Sequence, residues 1–295
     1  MYVNLTREQQ DLRREISSYF ASIVTAEYRA LMHDYRNPQR LAGYKDLIRT
    51  MGRDGWLAVG WPTKFGGKGY TPLEQLIFFE EALLAGAMLP FVTINTVAPA
   101  LMEHGSEAHR QKFLPGIAAG EIHFAIGYTE PSAGTDLATL KTTALADSDG
   151  FVVNGQKIFT SDIDAADYVW LACRTDPDRP RHKGISLLIV DARATGVSYT
   201  PIHTVGHQTF ASYYSDVRVP SDRLVGELHG GWKLITAQLN HERIGLGAFG
   251  IRSRGCFLAT LAWAREAEET GLRPIERPWV ATALAECYQK LEAMR

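Results

Sequence analysis

Cysteine is scarce in this chain. There are 3, Cys173, Cys256 and Cys287, an odd number set far apart, with none at a metal-ligand spacing. They read as reduced thiols of a cytosolic protein rather than a disulfide framework. Long apolar runs are also missing, so no segment reads as membrane-spanning. Met1 leads into a polar amphipathic stretch rather than a secretory leader. A charge surplus is absent too: the formal net charge of −2 gives no reason to expect nucleic acid or an anionic membrane surface as partner. No internal repeat occurs. Gly66-Gly67-Lys68-Gly69 lacks the phosphate-loop pattern and reads as a simple turn. His203 and His207 sit four apart in a Gly-containing loop with no third ligand near them, which argues against a metal. With 45% hydrophobic and 22% charged residues, the remaining class is a soluble globular protein, and 295 residues suffice for two or three domains.

The texture changes twice along the chain. Residues 1–121 read as a helical domain. Thr6 followed by Gln9 is a capping-box pattern, and Leu5, Leu12, Ile16, Phe20 and Ile23 follow helical spacing. Further helices are expected at about 40–53, 72–86, 91–103 and 106–117. Residues 122–230 carry short β-branched or aromatic runs, Phe151–Val153, Tyr168–Cys173, Ile185–Val190 and Tyr213–Val219, as a compact antiparallel β domain. The polar stretch 175–183 reads as a hairpin tip. Residues 231–295 return to helix: one long helix from Trp232 to about Glu269, then a second from Pro278. The first is apolar on too many sides for one covered face and asks for a bundle around it. Either the chain is cut short there or partner subunits supply the cover. The fold class is thus α+β: an N-terminal helical domain, a central antiparallel β domain and a partial C-terminal helical bundle.

Two separated segments carry chemistry. Residues 127–136 read Gly-Tyr-Thr-Glu-Pro-Ser-Ala-Gly-Thr-Asp after a short apolar strand, and residues 154–161 read Asn-Gly-Gln-Lys-Ile-Phe-Thr-Ser. Turn N–H groups beside the Thr129 and Thr135 hydroxyls can grip a flat polar ring or a pyrophosphate. Phe159 with Thr160 and Ser161 offers one face for stacking and one donor for a ring nitrogen, as an isoalloxazine requires. Gly245, Gly247 and Gly250 satisfy the dinucleotide fingerprint in letters only. They lie inside a helix without a preceding strand, where close helix packing is the better explanation.

At these residues the chain resembles the acyl-CoA dehydrogenase family. Gly127–Asp136 is similar to the family's first signature and Asn154–Ser161 to its second flavin segment. The likeness continues in Gly55–Pro62 with Gly66-Gly67, in Val217–Pro220 and in Asn240-His241-Glu242-Arg243, from residue 5 to about 262. The resemblance implies FAD as cofactor. It assigns Tyr128, Thr129, Gly134 and Thr135 to the flavin ring and its phosphates, and Phe159 and Ser161 to the other side of the ring. It implies an acyl-CoA substrate, α,β-dehydrogenation, and an electron-transferring flavoprotein as acceptor. In most of the family the base lies late in the C-terminal domain, beyond residue 295. In a minority it comes from the helix that carries Glu242. Glu242 and Arg243 are therefore the candidate catalytic pair, and a Glu–Arg structural pair is the other role open to them.

The wording also resembles one branch, the bacterial steroid side-chain dehydrogenases, which often work as two unlike subunits. One departure points the same way. Ala267 and Thr270 stand where relatives place an Arg and a Phe that touch a neighbour's flavin, and two adjacent acids would repel a pyrophosphate. This implies a second acyl-CoA dehydrogenase-like subunit and a heterotetramer. A non-catalytic subunit completing a partner's flavin site, and an oxidase or flavin monooxygenase of the same fold, are the competing readings.

Overall fold

The computed structural model describes residues 4–205, 208–266 and 271–294, with backbone but not side chains at 240–242. His207, Ala267 and Thr270 lie outside the described residues. Two compact units emerge: Met1–Val24, Pro72–Met88 and Ile244–Arg295 form one, and Thr25–Thr71 with Leu89–Arg243 form the other.

The first unit is helical. Helix α1 (Arg7–Ile23) starts where the capping box forms: the Gln9 amide donates to Thr6 Oγ1 at 3.3 Å and the Thr6 amide to Gln9 Oε1 at 3.0 Å. One face of α1 buries Ile16 and Phe20, and Phe20 meets Phe78 of α4 (Pro72–Ala85) at 5.5 Å between ring centroids. Arg13 bridges Glu80 and Glu81 on the same helix pair. The long helix expected from Trp232 breaks in two, at Phe249-Gly250. Helix α7 (Gly231–Ala248) crosses from the second unit into the first, and α8 (Ile251–Arg265) follows. Three glycines within six residues lower helix propensity there. At the break the amides of Phe249, Arg252 and Ser253 reach back three residues instead of four. Close packing does not account for two of those glycines. A Cβ on Gly247 would make only ordinary contact with Leu76 at 3.9 Å, and one on Gly250 only with a backbone oxygen at 3.8 Å. Helix α9 (Pro278–Ala293) packs on α8 through Arg254–Glu292 at 2.7 Å. Leu246, Leu258, Trp263 and Trp279 remain exposed, in line with the excess of apolar residues read from the sequence.

The second unit holds a sheet with helices α2 (Ala26–His33), α3 (Arg40–Arg53), α5 (Ala98–His104) and α6 (Glu107–Ala118). Its 8 strands are β1 (Phe124–Gly127), β2 (Thr143–Asp147), β3 (Gly150–Lys157), β4 (Tyr168–Arg174), β5 (Ile185–Asp191), β6 (Val197–His203), β7 (Gln208–Pro220) and β8 (Leu224–Val225). The order is β6-β7-β3-β2-β4-β5-β8, with β1 beside β4. Neighbours are mostly antiparallel, while β1 runs parallel to β4, pairing Ile126 with Trp170 and Gly127 with Leu171. Val153, Val169, Leu171, Leu188, Val190 and Val217 form the core of the sheet. His203 ends a strand rather than lying in a loop. Immediately before α5, Val92–Val97 forms a turn of π-helix, a form that concentrates at functional sites. Its Thr93 hydroxyl accepts from the Phe124 amide at 2.9 Å and so fixes the start of β1.

Candidate functional site

Two neighbouring strand ends build the site. The chain leaves β1 at Gly127, where a Cβ would come within 2.8 Å of the Leu171 side chain, so a larger residue would push the buried Leu171 methyl aside. Residues Glu130–Ala133 then form a tight turn closed by reciprocal backbone bonds of 2.9 and 3.1 Å. The other strand, β3, carries a bulge between Val153 and Gly155. There Asn154 Nδ2 donates to Asp216 Oδ1 at 3.0 Å, and the Asp216 amide donates to Asn154 Oδ1 at 2.9 Å. A bulge bends its strand and re-aims the residues that follow, here Gln156 to Ser161.

The two segments are stitched together. The Ile158 amide donates to the Thr129 carbonyl at 2.8 Å. Lys157 Nζ donates to the Tyr128 carbonyl at 3.0 Å and pairs with Glu130 Oε1 at 2.8 Å. Glu130 also accepts from the Lys141 and Thr142 amides at 2.7 and 2.8 Å. Both side chains are buried, at 0% exposure for Lys157 and 4% for Glu130. Burial pushes the Glu130 carboxyl up, but the ammonium of Lys157 and the hydrogen bonds outweigh it and hold the group below its ordinary value. Burial pulls Lys157 down, and Glu130 opposes it. The sequence reading missed this pair. Its signal was a charged residue inside each motif, each in otherwise apolar or small surroundings.

Phe159 is where the stitched segments open to solvent. It is 56% exposed and holds φ = 58°, a left-handed conformation that costs a residue with a Cβ roughly 1–2 kcal/mol. An exposed, strained aromatic is a poor structural element and a good platform for a flat ligand. Next to it Thr160 is fully buried, bonded to Ser212 at 3.0 Å, whereas Ser161 is half-buried and shares a 3.0 Å bond with Thr209. Of the two hydroxyls, Ser161 is the one open to a ligand. Gly134 and Thr135 are exposed, and a Cβ on Gly134 would meet only Thr129 Cγ2, at 4.0 Å. Among the described residues nothing crowds a side chain there, so the free space beside Thr129 suits a ligand's close approach. The fit to a flavin rests on these features: an exposed aromatic face, a half-open hydroxyl and a glycine cradle between two threonines.

Tyr128 leads inward. Trp170 Nε1, fully buried on β4, lies 3.1 Å from the Tyr128 hydroxyl and 3.1 Å from Gln238 Oε1 on α7. Neither Trp170 nor Gln238 was singled out from the sequence. Glu242 and Arg243 follow on α7. Arg243 is exposed, the side chain of Glu242 lies outside the described residues, and among those described no hydrogen bond joins Arg243 to the two segments.

Three family models match the chain: acyl-CoA dehydrogenase N-terminal domain at residues 6–121, middle domain at 125–217 and C-terminal domain at 229–295. Acyl-CoA dehydrogenase FadE26 of Mycobacterium tuberculosis is 49% identical over 301 residues, spanning 100% of this chain and 75% of its own. A solved structure described as the Tcur3481-Tcur3483 steroid ACAD superimposes with a TM-score of 0.92 at 49% identity, covering 100% of this chain and 75% of that one. A chain of the ChsE4-ChsE5 complex from Mycobacterium tuberculosis gives a TM-score of 0.90 at 50% identity, covering 99% of this chain and 75% of the other. By sequence and by fold, the chain belongs to the acyl-CoA dehydrogenase family.

Proposed function

We propose that this chain is the flavin-holding subunit of a heteromeric FAD-dependent acyl-CoA dehydrogenase that introduces an α,β double bond into a steroid side-chain acyl-CoA. The single observation that carries the reading is Phe159, exposed and strained, beside Ser161 and across the stitch from Thr129. In this reading Phe159 stacks on the ring and Ser161 donates to a ring nitrogen. Tyr128, Thr129, Gly134 and Thr135 hold the ring edge and phosphates. FAD, when bound, supplies the acceptor for the hydride that leaves Cβ of the acyl group. Glu242 takes the Cα proton as the general base. Arg243 flanks it. The electrons then pass to an electron-transferring flavoprotein, and the setting is cytoplasmic.

The steroid substrate and the second subunit are supported by the descriptions of the similar structures, one a steroid ACAD and the other a complex. A division into domains at 1–121, 122–230 and 231–295 goes with the same reading. The replacements at Ala267 and Thr270 favour one flavin per pair of unlike chains. They also sustain a second reading, a structural subunit that completes its partner's site. Cofactor extraction and native mass measurement on the co-expressed complex separate the two. FAD lost on Phe159→Ala and Ser161→Ala in this chain supports the first, and FAD retained unchanged in both supports the second.

A further inference from the structure

The polar group that the site leaves unexplained is Gln238. It is 1% exposed on α7, among the buried apolar residues Leu234 and Ile235. An indole N–H only donates, so the end of the amide facing Trp170 must be its oxygen. That fixes the orientation and leaves Nε2 facing elsewhere. Nε2 is buried and has no hydrogen-bond partner among the described residues. Two unmade donors in an apolar interior are costly, and leucine or methionine would fill the space without the penalty. Trp170 pairs with Ile126, so the amide is held beside the end of β1, where the first flavin segment begins. The same indole also reaches the Tyr128 hydroxyl. Glu242 lies four residues on, one turn along the same helix.

We propose that Gln238 is a ligand-recognition residue: its Nε2 donates to an acceptor oxygen of a ligand seated beside the end of β1, either a flavin carbonyl or an oxygen on the acyl group. The assignment rests on the flavin and acyl-CoA reading above. Trp170 is then the positioning residue that holds the amide by its oxygen and leaves both donors to the ligand.

The test uses the co-expressed complex with Gln238→Met, which keeps length and apolar bulk and removes both donors. Flavin affinity is measured by loss of bound flavin on dilution, and kcat and KM are measured for octanoyl-CoA and a keto-substituted octanoyl-CoA. A neutral hydrogen bond of this kind corresponds to about a tenfold change. If the acceptor is on the flavin, affinity for it falls about tenfold and the preference between the two thioesters stays put. If it is on the acyl group, flavin affinity holds, and kcat/KM for the keto substrate falls about tenfold relative to the plain one, through KM. A flavin-loaded variant with all of these within twofold of wild type overturns the proposal, whatever its thermal stability. A wild-type complex without flavin overturns the functional reading and this assignment with it.

Discussion

Lys157 ties the site together at the scale of single residues. Its ammonium serves the Tyr128 carbonyl and Glu130 at once, and Glu130 caps two amides that enter β2. Removing one partner of such a pair leaves a buried charge uncompensated, at about 3–5 kcal/mol. Lys157→Met is therefore expected to lower stability by that amount in urea denaturation, and adding Glu130→Gln should recover part of it. A double-variant loss equal to the sum of the two single-variant losses would mean that the pair is not coupled. His123 is the second residue with a consequence. It is buried at the foot of β1, its ring 5.9 Å from that of Tyr44 between centroids. Burial pushes it down to about 4 from 6.5, with Asp167 pulling the other way. The unfolded chain takes up a proton that the folded chain refuses. Stability is thus complete above pH 6.5 and falls as pH drops towards 4, by at most about 1.4 kcal/mol per pH unit. In His123→Phe, unfolding midpoints measured across that window should fall less steeply than in wild type. Parallel curves would show that His123 is not the titrating group.

Elements differ in how openly the sequence announces them. Helix α1 is announced by Thr6 and Gln9, because a capping box is local chemistry three residues apart. The Asn154–Ser161 segment stands out for the same reason, as a short local motif. The break at Phe249-Gly250 could have been read from the glycines, but the apolar pattern runs on through it. Helix α2 and strands β2 and β6 were not distinguished. Helix α2 has only 8 residues, and β6 is mostly solvent-facing without the alternation that marks a strand. The Glu130–Lys157 and Trp170–Gln238 contacts were out of reach, since they depend on strand register and helix docking rather than spacing. The bulge in β3 has its own prediction. Gly155 holds φ = 151°, and a Cβ there would sit 2.7 Å from the Thr142 Cα. Gly155→Ala should cost at least about 1–3 kcal/mol and weaken flavin retention, because Lys157 to Ser161 follow directly from the bend. Stability and flavin content both equal to wild type would remove the bulge from the account.

At the scale of the whole molecule, membership of the acyl-CoA dehydrogenase family is carried by likeness along the chain, and the proposed chemistry by one strand end within it. Among the described residues no helix is long and apolar enough to cross a membrane. Leu258 and Trp263 on α8 and Trp279 on α9 are exposed apolar side chains. The central claim is that the flavin held by this chain oxidises an acyl-CoA. Its most direct test is anaerobic addition of a steroid side-chain acyl-CoA to the purified co-expressed complex, following oxidised-flavin absorbance and the product mass together. The account predicts bleaching of the flavin and a product lighter by two hydrogens, with both changes slowed by roughly 10²-fold or more in Glu242→Gln. A flavin-loaded complex that no acyl-CoA thioester bleaches would contradict it.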